Sequence, residues 1–263
     1  MNKDMGNSSV VFTGLADEYV QFRPRYPKAF LNQLLDFFHV DGSGRLLDLG
    51  CGPGTVTLDM RDRFQEVVGL DPNEDMFKAA CLQKEREKAG NVQFQLMRAE
   101  DISEKLGSFQ LVTCVSSFHW MDRRLVLQKA YQLLTDGGGI AIWGMGSFWA
   151  RREKWQEIMI DIVKKYLGPE RHGSEAMNRK PSHQIVVKEE GFKNVEMQKY
   201  PIVQTWDLER IMGYLYSSSF AAKELFGDRL PEFDREVREA LQTFSPDDHF
   251  EDHITIKVIV GWK

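Results

Sequence analysis

Leu46-Leu47-Asp48-Leu49-Gly50-Cys51-Gly52-Pro53-Gly54 is the stretch whose reading decides the fold. Leu46 to Leu49 read as a buried strand that runs straight into glycines at positions 50, 52 and 54. Thr55 then stands where a helix N-cap belongs, and Val56, Met60 and Phe64 recur on one helical face. A strand, a tight turn and a helix start in series bring bare backbone and unpaired N–H groups to one place. Such a turn suits a nucleotide-like ligand, although a GxG between strand and helix also occurs as plain packing. The residues downstream decide between the two.

Working outward, Glu66 to Asp71 is a short apolar strand ending in a carboxylate before Pro72, and a helix is expected from Asn73 to Ala89. Val92 to Arg98 alternates as a third strand ended by Ala99-Glu100-Asp101-Ile102, and Phe109 to Val115 is a fourth, followed by Ser116-Ser117-Phe118-His119-Trp120. A helix over Arg123 to Leu134 and a glycine turn at Asp136 to Gly139 lead into a fifth strand, Ile140 to Trp143. Upstream, Pro24 and Pro27 make an ordered turn before a helix over Lys28 to His39. Strands separated by helices in this rhythm predict an α/β fold with a parallel sheet and right-handed crossovers.

The rhythm breaks after Trp143. Phe148 to Leu167 reads as one amphipathic helix, Gly168 to His183 as loop, and Gln184 to Glu190 as a short helix. A sixth strand is expected over Asn194 to Tyr200, helices over Asp207 to Phe220 and Glu232 to Thr243, and a last strand over Thr255 to Val260. No repeat or linker divides the 263 residues, so residues 1–263 are expected to form one domain with insertions at 147–183 and 205–245.

Bulk composition narrows the setting. The net charge is −5, from 34 basic and 39 acidic residues, which argues against nucleic acid as a partner. The three cysteines lack metal-ligand spacing and fit a reduced compartment. No segment approaches about 18 consecutive apolar residues. The expectation is a cytoplasmic protein without membrane partners or a metal, monomeric or homodimeric.

Several chemistry-bearing residues fall at strand C-termini, which form the ligand crevice of an open α/β sheet. Strand 1 ends in the glycine turn, strand 2 in Asp71, strand 3 in Asp101 and strand 4 in His119-Trp120. A carboxylate ending strand 2 suits the two hydroxyls of a ribose, which leaves nicotinamide dinucleotides and S-adenosylmethionine as cofactor classes. Asp48 before GxGxG, with Thr55 where a dinucleotide turn wants its third glycine, disfavours the former.

With these residues the sequence resembles the class I S-adenosylmethionine-dependent methyltransferases, in particular the small-molecule group that includes trans-aconitate methyltransferase. The resemblance covers about Arg45 to Trp143 and the segment Tyr19, Arg23, Pro24, Tyr26, Pro27. It implies a Rossmann-like, seven-stranded sheet of order 3-2-1-4-5-7-6 with the last strand antiparallel, and helical insertions that act as a lid. It also implies that Gly50, Cys51, Gly52 and Gly54 let the backbone approach the cofactor's methionine moiety, with Asp48 near its ammonium and Ser116 nearby. Asp71, followed by Pro72, would take the ribose, and Asp101 with the Ile102 N–H would take the adenine. Residues 1–27 would cover the cofactor, Tyr19 closing over it and Arg23 on its carboxylate. Plainer roles stay open: Asp71 and Asp101 as helix caps, Asp48 as a turn-orienting group, and Arg23 as partner of Asp17 or Glu18.

On the acceptor side strand 4 lacks the Asn/Asp-Pro-Pro-Tyr motif of amine methyltransferases and a Pro-Cys nucleophile. An oxygen acceptor, carboxylate or hydroxyl, is the first expectation; a nitrogen or sulfur acceptor, or cofactor binding without transfer, is the alternative. His119 is the candidate base if one is needed, against a contact or structural role. His119, Trp120, Trp206 and Tyr214 are the candidate acceptor contacts, and Arg151, Arg152, Arg171 and Arg179 are carboxylate clamps or a solvated face.

Overall fold

The computed structural model describes residues 20–146, 148–150, 153–170, 181–218 and 220–263. Tyr19, Asp17, Arg151, Arg152, Arg171 and Arg179 lie outside the described residues. The chain runs α1 (Lys28–Phe37), β1 (Arg45–Leu49), α2 (Thr55–Met60), β2 (Glu66–Asp71), α3 (Glu74–Arg86), β3 (Val92–Leu96), β4 (Phe109–Val115), α4 (Arg123–Leu133) and β5 (Leu134–Trp143). There follow α5 (Lys154–Leu167), α6 (His183–Glu189), β6 (Lys193–Trp206), α7 (Leu208–Tyr216), α8 (Leu230–Phe244) and β7 (Phe250–Trp262).

The strands form one sheet of order β3-β2-β1-β4-β5-β7-β6. Strands β1 to β5 are mutually parallel, and β7 runs antiparallel to both β5 and β6. The expected order holds. Central parallel strands must bury both faces, which explains their nearly unbroken apolar runs. Leu47, Leu49, Val112 and Ile142 point to a core shared with α4 and α6, whereas Leu46, Leu111, Ala141 and Trp143 point to the opposite core under α1. Two helix starts are capped by side chains, Asn73 accepting from the Met76 N–H at 3.0 Å and Asp122 from the Leu125 N–H at 3.2 Å, whereas α2 has Gly54 at the cap position and Thr55, the expected cap, as its first helical residue.

Several boundaries depart from expectation. Strand β3 ends at Leu96 because its partner β2 ends opposite at Asp71; Asp101 instead sits in a single 3-10 turn, Ala99–Asp101. The glycines before β5 belong to the strand, where Gly139 pairs with Leu111 and Trp262. A methyl carbon on Gly139 would lie 2.8 Å from the Gly261 carbonyl oxygen, so Gly139 serves close packing, while Gly137 keeps a φ of +76° in open space. The expected helix over Phe148 to Leu167 is a turn at Phe148–Ala150 and then α5, which Glu153 and Gln156 start with a reciprocal capping box.

The largest departure is in β6 and β7, which are twice the expected length. Only Ile259 to Trp262 of β7 pair with β5; from Phe250 to Val258 the strand pairs with β6 alone, as a ribbon that leaves the sheet. Its tip, Trp206 opposite Phe250, enters a third core built by α5, α7 and α8. Trp155 anchors this module to the ribbon by donating from Nε1 to the Glu251 carbonyl at 2.8 Å. Pro201 lies within β6 and is tolerated because β6 is an edge strand.

Candidate active site

The glycine turn is shaped by backbone bonds to the neighbouring strand. The N–H groups of Gly50 and Cys51 both donate to the Leu70 carbonyl, at 2.8 and 3.0 Å. Gly52 and Gly54 have φ of +56° and +79°, a region that disfavours side chains. Their surroundings differ. Nothing lies within 4 Å of where a Gly52 Cβ would sit, so its face is open; a Cβ on Gly54 would lie 2.5 Å from Phe94 Cζ.

Asp71 locks this turn. One carboxylate oxygen accepts from the Gly52 N–H at 2.8 Å and the other from the Asn73 N–H at 2.9 Å. Burial pushes its carboxyl above the ordinary range, and the two amides hold it back. Asp48 is deeper, 1% exposed, and accepts from the hydroxyls of Thr57 at 2.6 Å and Thr113 at 2.8 Å. Burial raises its pKa to about 6 against the pull of both hydroxyls, with the Asp71 charge adding to the rise. Among the described residues the partners of these two acids are hydroxyls and amides, not cations. Burial also pushes the Cys51 thiol up, so it is neutral and a poor nucleophile.

These groups face a cavity of about 820 Å³ at the C-terminal ends of β1, β2 and β4. That position is the switch point between β1 and β4, and the volume is in the range of small-molecule sites. Of the expected cofactor residues, Arg23, Asp48, Gly50, Cys51, Gly52, Asp71, Pro72, Asp101 and Ser116 line it. Gly54 and Ile102 do not: Gly54 packs on Phe94, and the Ile102 side chain is buried in the core. Of the expected acceptor residues, Trp120 and Tyr214 line the cavity. His119 stands beside Trp120, ring centroids 5.1 Å apart, outside the wall. Trp206 is 3% exposed in the third core, 4.9 Å from Phe148 and 5.4 Å from Tyr214.

Sequence reasoning missed the apolar lining, including Met76, Met121, Leu125 and Met145. Leu125, in the first turn of α4, is 37% exposed at the cavity wall. Sequence reasoning also missed Glu100, which accepts from the Asp122 N–H at 2.8 Å and so joins the turn after β3 to the start of α4. Arg23 donates to the Ser217 carbonyl at 3.0 Å and lies 4.6 Å over the Tyr214 ring. No group of three or more His, Cys, Asp and Glu among the described residues is arranged to hold a metal ion.

Comparison with known proteins agrees with this geometry. Residues 46–138 match the family model described as a methyltransferase domain, and they span the glycine turn, Asp71, Asp101 and Trp120. Residues 46–138 form a methyltransferase domain, similar to those of the class I S-adenosylmethionine-dependent enzymes. A Dictyostelium discoideum protein, itself provisionally assigned as a methyltransferase, is 25% identical over 90% of this chain and 88% of its own length. A ubiquinone biosynthesis O-methyltransferase of Acinetobacter baylyi is 29% identical over 47% of this chain and 53% of that protein. The chain thus spans about half the length of the bacterial relative. Among solved structures, a Haemonchus contortus phosphoethanolamine N-methyltransferase in complex with S-adenosyl-L-methionine superposes with a TM-score of 0.56 at 17% identity. That match covers 98% of this chain and 59% of that one, and it shows the common fold.

Proposed function

We propose that this chain transfers a methyl group from S-adenosylmethionine to an oxygen, carboxylate or hydroxyl, of a small organic acceptor. The observation that carries the reading is the Asp71–Gly52 bond, which presents a carboxylate and open backbone together on one cavity wall. The residues present fit the cofactor. Gly50, Cys51 and Gly52 offer backbone to its methionine moiety, and Asp71 beside Pro72 has lone pairs left for two ribose hydroxyls. Asp101 is assigned to the adenine, with Met76, Met121 and Leu125 as apolar walls. Two buried acids without cationic partners among the described residues, Asp48 and Asp71, suit a ligand that carries positive charge. Ser116 and Arg23 complete the methionine end, and Tyr19 belongs to the same N-terminal cover, residues 1–27.

The bound cofactor supplies an electrophilic methyl group on a sulfonium. The chain's part is to align the acceptor and exclude water. Tyr214 and Trp120 are the acceptor's walls, with Trp206 behind Tyr214 and His119 behind Trp120 as supports. An ionised carboxylate acceptor needs no base. A hydroxyl acceptor does, and His119 serves only if its imidazole turns past Trp120. The segments 147–183 and 205–245 act as the lid that selects the acceptor. The relative that methylates oxygen and the resemblance of Trp206 to Phe220 to the lid of aconitate-type enzymes favour oxygen as acceptor atom.

Calorimetry with S-adenosylhomocysteine tests the cofactor assignment. The wild type is expected to bind in the micromolar range, and Asp71→Ala to lose about 2–3 kcal/mol for a pair of charged hydrogen bonds. Binding of NADH in its place would refute the reading. Labelled cofactor with a panel of small acids, phenols, amines and thiols tests the acceptor; turnover confined to amines or thiols would move it off oxygen.

A further inference from the structure

Glycine inside a helix is disfavoured relative to alanine, yet Gly213 sits in the middle of α7 with a helical backbone. A methyl carbon at Gly213 would lie only 2.0 Å from Cγ of the Phe22 ring, 191 residues earlier in the chain. The next residue on each side continues the contact. Arg23 lies 4.6 Å over the ring of Tyr214, and its guanidinium donates to the carbonyl of Ser217 at 3.0 Å. Arg23 and Tyr214 are also both walls of the cavity. One notch on α7 therefore registers two distant segments that meet over the same ligand site.

We propose that Gly213 is a positioning residue: its missing side chain seats Phe22, and this seat holds Arg23 on Tyr214 and Ser217 to close the cavity roof. A closed roof excludes water and keeps Tyr214 at the acceptor side while Arg23 faces the cofactor side. The seat couples the two ligands, because a segment ordered for one is already ordered for the other. The effect on ligand binding rests on the S-adenosylmethionine reading; the seat itself does not.

Hydrogen–deuterium exchange and S-adenosylhomocysteine calorimetry on the full chain test this, with Gly213→Ala, Phe22→Ala and the double variant. Both single variants are expected to exchange at least tenfold faster over residues 20–26 and to bind S-adenosylhomocysteine at least tenfold more weakly. Their unfolding midpoints in the absence of ligand should stay near that of the wild type. Alanine at 213 has room once Phe22 is gone, so the double variant should bind no more weakly than Phe22→Ala. Wild-type exchange over 20–26 in either folded variant overturns the seat. Faster exchange with unchanged affinity overturns its role in the roof. Should Gly213→Ala fail to fold, Phe22→Ala decides alone. A wild type that does not bind S-adenosylhomocysteine refutes the cofactor reading instead, and exchange then decides the seat.

Discussion

Asp48 carries its charge where burial opposes it. Its folded pKa of about 6 lies above the ordinary 3.8, so between about pH 4 and 6 the folded state binds more protons than the unfolded chain. Its contribution to stability therefore falls as pH rises through that window, by about 3 kcal/mol at most. Urea unfolding of the wild type and Asp48→Asn at pH 4.5 and pH 7 checks this: the variant should fare better relative to the wild type at pH 7. An equal difference at both pH values would contradict it. Gly54→Ala is a separate residue-scale case. It should cost about 1–2 kcal/mol from φ alone and more from the contact with Phe94, measured as a lower unfolding midpoint. The place of Asp71 on the cavity wall was legible in the sequence because it follows from position at a strand end. The Thr57 and Thr113 hydroxyls that hold Asp48 were not, since their approach depends on how β4 and α2 stand beside β1.

At the scale of elements, β1, β2 and β4 were readable almost to the residue, because a strand buried on both faces leaves an apolar run bounded by turns. The ribbon of β6 and β7 was not. One of its faces is in solvent, Pro201 interrupts it, and its outer half pairs with no third strand, so nothing local marks its length. Trp206 was legible as an aromatic of the insertions, but only the ribbon shows that it belongs to the core of the helical module. Trp206→Ala should accordingly cost about 3–5 kcal/mol of stability, while Tyr214→Phe, which keeps the ring packed on Phe148 at 4.1 Å, should cost much less. Chemical unfolding of the two variants gives the comparison. A small loss for Trp206→Ala would return that side chain to the list of direct acceptor contacts.

For the whole molecule, the cavity is closed by parts far apart in sequence: the β1 and β2 turns, the start of α4, the N-terminal Arg23 and Tyr214 of the helical module. Ligand binding should therefore stabilise the assembly and not one motif. At 100 times its dissociation constant, S-adenosylhomocysteine should add about 2.7 kcal/mol, read as a raised melting temperature. Exchange protection should be gained over residues 20–26 and 208–218 as well as at the glycine turn. Protection confined to the turn would mean that the helical module does not sense the cofactor. The sequence by itself determined the sheet, its order through family resemblance, and the acidic and glycine positions of the candidate cofactor site. These follow from strand burial and from turn chemistry within a few residues. Only the tertiary structure decided which glycines face the cavity, that Trp206 lies behind Tyr214, and that Gly213 receives Phe22. Those facts depend on the packing of segments up to 191 residues apart, for which periodicity carries no signal.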